Sequence, residues 1–255
     1  MVSSEVFLSN LPEVFDGYRI AVISDLHDRT LGKNNQRLAD KIFAQSPDLV
    51  ICAGDMHEFP KSPQPFLSLL SALSEMFPVI YTEGNHELRH VTPEAYGEYL
   101  TQASETGAKV LNDDVCLITR DGASLGIYGQ SWTSAREGRS VSVDTAFPSV
   151  LICHSPMQFD CLPSLPDLMI SGHVHGGIVR LPLIGPVFAP GEGTPVYRRF
   201  APRFFFPKYS RGIYERGMHK LAVTQGLGFS VLPIRIIPAE IMVLTLKSDK
   251  KMNNS

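Results

Sequence analysis

Short apolar runs separated by amphipathic stretches fill the first hundred residues. RIAVIS (19–24), DLVICAG (48–54) and PVIYTEG (78–84) are continuous and rich in branched residues, which predicts strands. Between the first two, NNQRLADKIFAQS (34–46) sets Leu38, Ile42 and Phe43 at helical spacing, with Pro47 just beyond. PQPFLSLLSALSEM (63–76) is an amphipathic helix with proline near its start, and a third helix is expected over 93–105. The texture then changes. KVLND, VCLITRD and SLGIYGQ read as short strands at hairpin spacing, and PSVLICH (148–154), DLMISGH (167–173), LAVTQGLG (221–228) and EIMVLTLK (240–247) as further strands. A βαβαβα half followed by a strand-rich half predicts an α/β protein with two packed sheets and helices on the outer faces. No repeat, linker or low-complexity block interrupts it, so one domain is expected over 1–247, followed by a polar tail, SDKKMNNS (248–255).

Composition adds bounds. With 44% hydrophobic and 19% charged residues in 255, a substantial core is expected and general disorder is not. A net charge of −3 argues against a dedicated nucleic-acid binder. The four cysteines form no CxxC, and Cys52 and Cys153 end apolar runs, so they read as reduced core thiols in a reducing compartment. The N-terminus lacks a signal-peptide pattern and no stretch has the length to span a bilayer. The expected location is cytoplasmic or membrane-peripheral, with an anchor ahead of this sequence left open.

The chemistry sits where the apolar runs stop. They lead into Asp25-Leu26-His27, Gly54-Asp55, Gly84-Asn85-His86-Glu87, His154 and Gly172-His173-Val174-His175. Any one of these alone reads as a turn, a helix cap or a surface histidine. Five in chain order predict one crevice at the carboxyl ends of the strands. Carboxylates and imidazoles without thiolates suit Mn, Fe, Zn or Co rather than Ca or an iron–sulfur cluster. Seven candidate ligands are too many for one ion and match two ions sharing a carboxylate, about 3.5–4 Å apart with a nucleophilic water between them.

This set of motifs resembles the calcineurin-like metallophosphoesterase superfamily. GHVHGGIVRLPLIG, FPKYSRGIY, QGLGFSVLPIRI and PAEIMVLTL resemble its YkuE/YaeI-type bacterial phosphodiesterase branch, over about residues 5 to 247. The resemblance implies a four-layer αββα sandwich of two mixed sheets. It implies two divalent ions, with Mn, Fe, Zn or Ni expected: Asp25, His27 and His175 hold one, Asn85, His154 and His173 the other, and Asp55 bridges them. On an extended loop, side chains at i and i+2 point the same way, so His173 and His175 would each reach a different ion. His86 would stay unliganded beside the scissile phosphate, stabilising its charge or protonating the leaving oxygen. The implied activity is hydrolysis of a phosphodiester, or of a phosphomonoester or pyrophosphate, through a metal-bridging hydroxide. Glu87 would orient His86 or cap the following helix.

Other residues are less committed. His57 and Glu58 could contact substrate or buttress the metal ligands, but read better as a solvated loop ahead of Pro60, and Arg29 reads as a phosphate contact or a surface residue. Segment 197–220 carries seven cations, Arg198, Arg199, Arg203, Lys208, Arg211, Arg216 and Lys220, against Glu215, interleaved with aromatics. It reads either as a solvated face over core aromatics or as a lip for a lipid-linked or nucleotide-containing phosphoester or for anionic lipid. The alternative to an enzyme is a metal-binding scaffold of the same fold with little hydrolase activity. The completeness of the ligand set favours the enzyme.

Overall fold

The computed structural model describes residues 1–177, 179–181, 185–188, 207–228 and 238–249. In chain order these form β1 (Val2–Leu8), β2 (Arg19–Ile23), α1 (Gln36–Phe43), β3 (Leu49–Ala53), α2 (Gln64–Ser74), β4 (Val79–Thr82), α3 (Pro93–Glu105), β5 (Lys109–Val110), β6 (Asp114–Arg120), β7 (Ala123–Gln130), α4 (Trp132–Glu137), β8 (Ser149–Cys153), β9 (Leu168–Ser171), β10 (Val179–Leu181), β11 (Gly185–Phe188), β12 (Gly212–Arg216), β13 (His219–Val223) and β14 (Met242–Ser248).

Two six-stranded sheets, ordered β1-β14-β2-β3-β4-β5 and β12-β13-β9-β8-β7-β6, and a β10–β11 ribbon result. Both large sheets are mixed. β2, β3, β4 and β5 run parallel beside an antiparallel β14, and β7, β8, β9 and β13 run parallel between antiparallel β6 and β12. Alternation along each strand sorts its side chains between two layers. Ile20, Val22, Leu49 and Ile51 meet Val150, Ile152, Leu168 and Ile170 between the sheets. Ala21, Ile23, Val50 and Cys52 face outward under Leu38, Ile42, Phe66, Leu70 and Tyr99 of α1, α2 and α3. Leu151, Cys153, Met169 and Val223 face out of the second sheet, under Ala135 of α4, Phe159 of the 3₁₀ turn Pro156–Asp160, and Tyr209. The αββα order is therefore present, with a thin fourth layer.

Some boundaries move for local reasons. The first helix begins at Gln36 because Asn34 and Asn35 are left-handed, with φ of 50° and 61°. Asn35 Oδ1 accepts from Leu31 N and its amide donates to Pro65 O, tying that turn to α2. The third helix spans 93–105 as expected, capped by Thr92 Oγ1 accepting from Ala95 N. β14 continues to Ser248, and residues 250–255 of the polar tail lie outside the described residues. β1, β12 and α4 have no counterpart in the predicted pattern. Among the described residues, no helix is long and apolar enough to cross a membrane.

Candidate metal centre

The carboxyl ends of β2, β3 and β4 in one sheet and of β8 and β9 in the other open onto one crevice. All eight predicted residues lie there, and all but half-buried His86 are buried. Their backbone is unusual. Asp25, His27, Asp55, His173 and His175 have φ of 52°, 49°, 54°, 71° and 52°, a left-handed conformation uncommon outside glycine. The His173–His175 loop is thus not extended, and the expectation that it would be is corrected. Each residue turns on a left-handed step, and the two still reach different groups of donors. Backbone bonds from Asp25 N to Gly54 O and from His27 N to Asp55 O hold the neighbouring turns. Gly172 leaves room for one of them, since a Cβ there would stand 2.6 Å from both Asp25 Oδ2 and Ser24 Oγ.

The donors form two adjoining groups, Asp25 with His27 and His175, and Asp55 with His154 and His173. In the first, His175 Nε2 lies 3.5 Å from Asp25 Oδ1 and 3.2 Å from His27 Nε2. In the second, His154 Nε2 lies 3.0 Å from Asp55 Oδ2. Asp55 Oδ2 is also 4.0 Å from His27 Nε2, between the groups. The inward atom of the Asn85 amide is 3.0 Å from His173 Nδ1 and 3.3 Å from Asp55 Oδ2.

Whether these groups fit a cation can be read from His154. Its Nδ1–H donates to Ala53 O at 2.7 Å, which leaves the lone pair on Nε2. That buried Nε2 makes no hydrogen bond, although a carboxylate oxygen stands 3.0 Å away. Lone pairs facing one another in a buried space require a positive charge between them. Without a metal ion a proton fills part of that role. Burial opposes charge on His154, but Asp55 and Asp25 outweigh it and raise its pKa to about 10. Burial and the charge of His154 push His173 down to about 3, and burial, against Asp25, pushes His175 down to about 4, so these two stay neutral. At His27 burial is outweighed by the bond to Glu58 and by Asp55 and Asp25, which raise its pKa. Asp55 is held well below the usual carboxylate range, its burial outweighed by His154, His27 and His86. Ionised carboxylates beside imidazoles whose protons a cation can displace are what a divalent ion needs, so the residues fit one.

The surrounding shell corrects two readings. Glu58 is not in a solvated loop. Its Oε1 accepts from His27 Nδ1 at 2.7 Å and lies 2.7 Å from His86 Nδ1 as a charge contact, and the bond from His27, against burial, lowers its pKa to about 2. His57 is fully buried, bonded through Nδ1 to Asp28 Oδ1 at 2.6 Å. A polar D-x-H-E run straight after a buried strand was the available signal. Glu87 neither contacts His86 through its side chain nor caps a helix. Its buried carboxylate accepts from the backbone of Asp55, Met56, His57 and Gly84, pinning the second and third loops together. Arg29 donates to Leu227 O. Arg89 and Trp132 were not anticipated. Arg89 Nη1 lies 2.9 Å from His86 Nε2, and the Trp132 ring packs 5.2 Å from that of His173 and 6.0 Å from that of His154.

The sequence pattern of the calcineurin-like phosphoesterase family matches residues 18–177, the stretch that carries every donor above. The chain belongs to the calcineurin-like phosphoesterase family. Its relatives include the metallophosphoesterase YkuE of Bacillus subtilis (strain 168), 28% identical over 94% of this chain and 82% of YkuE. Phosphodiesterase YaeI of Escherichia coli (strain K12) is 29% identical over 83% of this chain and 75% of YaeI. These two relatives support the YkuE/YaeI-type branch of the family. Among solved structures it is similar to TT1561 of Thermus thermophilus, 9% identical over 82% of this chain and 89% of that one, with a TM-score of 0.46.

Of the basic segment, residues 197–206, with Arg198, Arg199 and Arg203, lie outside the described residues. The remaining cations have partners within the chain. Lys208 pairs with Asp160 at 2.7 Å, Lys220 with Glu215 at 3.0 Å, and Arg216 donates to Phe159 O, while Arg211 reaches Gln225 Oε1 at 3.4 Å.

Proposed function

We propose that this calcineurin-like phosphoesterase is a dinuclear, divalent-metal-dependent phosphodiesterase. The observation that carries the reading is the pair of adjoining donor groups with Asp55 Oδ2 between them. Asp25, His27 and His175 would hold one ion, Asn85, His154 and His173 the other, and Asp55 both. When bound, such a pair supplies charge neutralisation for the phosphoryl oxygens and an acidified water.

The chain does the rest. Ser24 Oγ and His173 N donate to the Asp25 carboxylate and fix its orientation. Ala53 O fixes the tautomer of His154, and Glu58 that of His27, while the Glu58 carboxylate also stands 2.7 Å from His86 Nδ1. His86 Nε2, 3.9 Å from Asp55 Oδ2 at the open side of the crevice, hands a proton to the leaving oxygen. Burial lowers the His86 pKa, with help from His27 and Arg89, so its protonated form is a stronger acid. The Glu58 carboxylate stands behind it, with Oε1 2.7 Å from His86 Nδ1.

The test is hydrolysis of bis-p-nitrophenyl phosphate and p-nitrophenyl phosphate by metal-stripped protein, with Mn²⁺, Fe²⁺, Zn²⁺ or Ni²⁺ restored. The expected result is ion-dependent cleavage of the diester that Asp55→Asn and His86→Ala each lower by about a hundredfold or more. Protein that takes up two ions and turns over neither ester would instead support the scaffold.

A further inference from the structure

The amide of Asn85 faces two incompatible neighbourhoods. On the inward side stand His173 Nδ1 at 3.0 Å and Asp55 Oδ2 at 3.3 Å, both acceptors. On the outward side stands Arg89 Nη2 at 2.9 Å, a donor. With no cation in the centre and Nδ1 of His173 accepting, hydrogen bonding favours one orientation: NH2 inward, and the carbonyl outward accepting from Arg89. The same guanidinium donates through Nη1 to His86 Nε2 at 2.9 Å. Arg89 is thereby tied down over two site residues, although it is itself exposed.

A cation among Asp55, His154 and His173 reverses the preference of the inward side, because it needs an oxygen lone pair and repels an NH2 group. The amide must turn by half a rotation. Its NH2 then faces the guanidinium, donor against donor, and Arg89 loses an acceptor. Two donor groups, Arg89 Nη2 and Asn85 Nδ2, are then left facing one another at the mouth of the crevice. Two non-bridging oxygens of a phosphoester satisfy that set, and the planar fork of arginine suits a pair of phosphoryl oxygens.

We propose that Arg89 is a phosphate-binding residue, masked by the Asn85 carbonyl in the metal-free protein and released when metal binding turns the Asn85 amide. This rests on the reading of the centre given above. The two ligands are then linked, each strengthening the other by the same factor.

The experiment is calorimetry on the full chain as wild type, Arg89→Gln and Arg89→Lys. Mn²⁺ or Zn²⁺ is titrated first, then inorganic phosphate into the stripped and the loaded protein, with kcat and KM for bis-p-nitrophenyl phosphate measured alongside. Phosphate is expected to bind loaded wild type at least about tenfold more tightly than stripped protein, and R89Q to lose that gain and raise KM by a similar factor. R89K, which keeps the charge without the fork, should fall between. Metal affinity should be unchanged or higher in R89Q, since the bond to Arg89 favours the metal-free orientation. Loaded R89Q that binds phosphate within twofold of wild type overturns the proposal, as does R89Q that loses metal and phosphate affinity in parallel. The two readings fail separately. Diester cleavage that needs Asp55 and His86 but ignores Arg89 sinks only the role of Arg89, whereas Arg89-dependent phosphate binding without turnover sinks only the hydrolase.

Discussion

Five donor residues sit on backbone that favours glycine, a conformation worth about 1–2 kcal/mol against an ordinary side chain. The usual order of substitutions should therefore invert at such a site. In metal-stripped protein, His27→Gly is expected to be more stable than His27→Ala by about 1 kcal/mol in urea denaturation, though neither can hold the ion. An alanine variant at least as stable as the glycine variant would remove the claim that the turn is held against its preference. Glu58 makes a second prediction at this scale. Glu58→Gln keeps the shape and loses the charge that receives the His27 Nδ1–H bond and faces His86 Nδ1, so kcat/KM and metal affinity should each fall by about 10–100-fold. A variant that loses kcat/KM but keeps wild-type metal affinity would confine Glu58 to His86.

Among the elements, those clad on both faces were the legible ones. β2, β3, β4, β8 and β9 are nearly continuous apolar runs because one side of each meets the other sheet and the other side meets an outer layer. The donors were legible for the same reason, since each follows such a run. β1 alternates exposed and buried positions and lies on a sheet edge, so only Val6 and Leu8 mark it as core. α4 has six residues, too few for a helical period to show, and its sequence signals are the caps Ser131 and Gly138. Glu58 escaped because its partners are distant in sequence, with His27 thirty-one positions away. The edge strand matters despite its weak signal. Leu8→Ala, at a fully buried position of β1, should cost about 2–5 kcal/mol. Leu117→Ser on β6, where the side chain is 49% exposed, should stay within about 0.5 kcal/mol. Denaturant midpoints of the two variants, measured in one buffer, decide whether β1 is integral to the sheet.

For the whole molecule, the centre stores opposed charges that a metal ion must rearrange. His154 carries a proton up to a pKa of about 10 in the metal-free chain, so an ion taken up at pH 7 has to expel it. Metal binding should release at least one proton per chain, from His154 and in part from His27, whose pKa the Glu58 bond and Asp55 raise against burial, and affinity should climb with pH between 6 and 8, by about tenfold per unit for each proton displaced. Calorimetry in buffers of different ionisation enthalpy measures the release, and a pH-independent affinity would contradict it. Because the donor groups are assembled only in the folded chain, excess Mn²⁺ or Zn²⁺ should also raise the melting temperature, and chelation should reverse the gain.

Trp132 is the single tryptophan of the sequence, and its indole lies against the rings of His154 and His173 on one side of the centre. Excited at the red edge of the absorption, where tyrosine does not absorb, the chain thus emits from one place. A paramagnetic ion entering beside His173 would dim that light, while an ion held by Asp25, His27 and His175 would sit farther from the indole and dim it less. A stepwise titration followed by fluorescence lifetime would report the order in which the two positions fill, with no label attached and no substrate present.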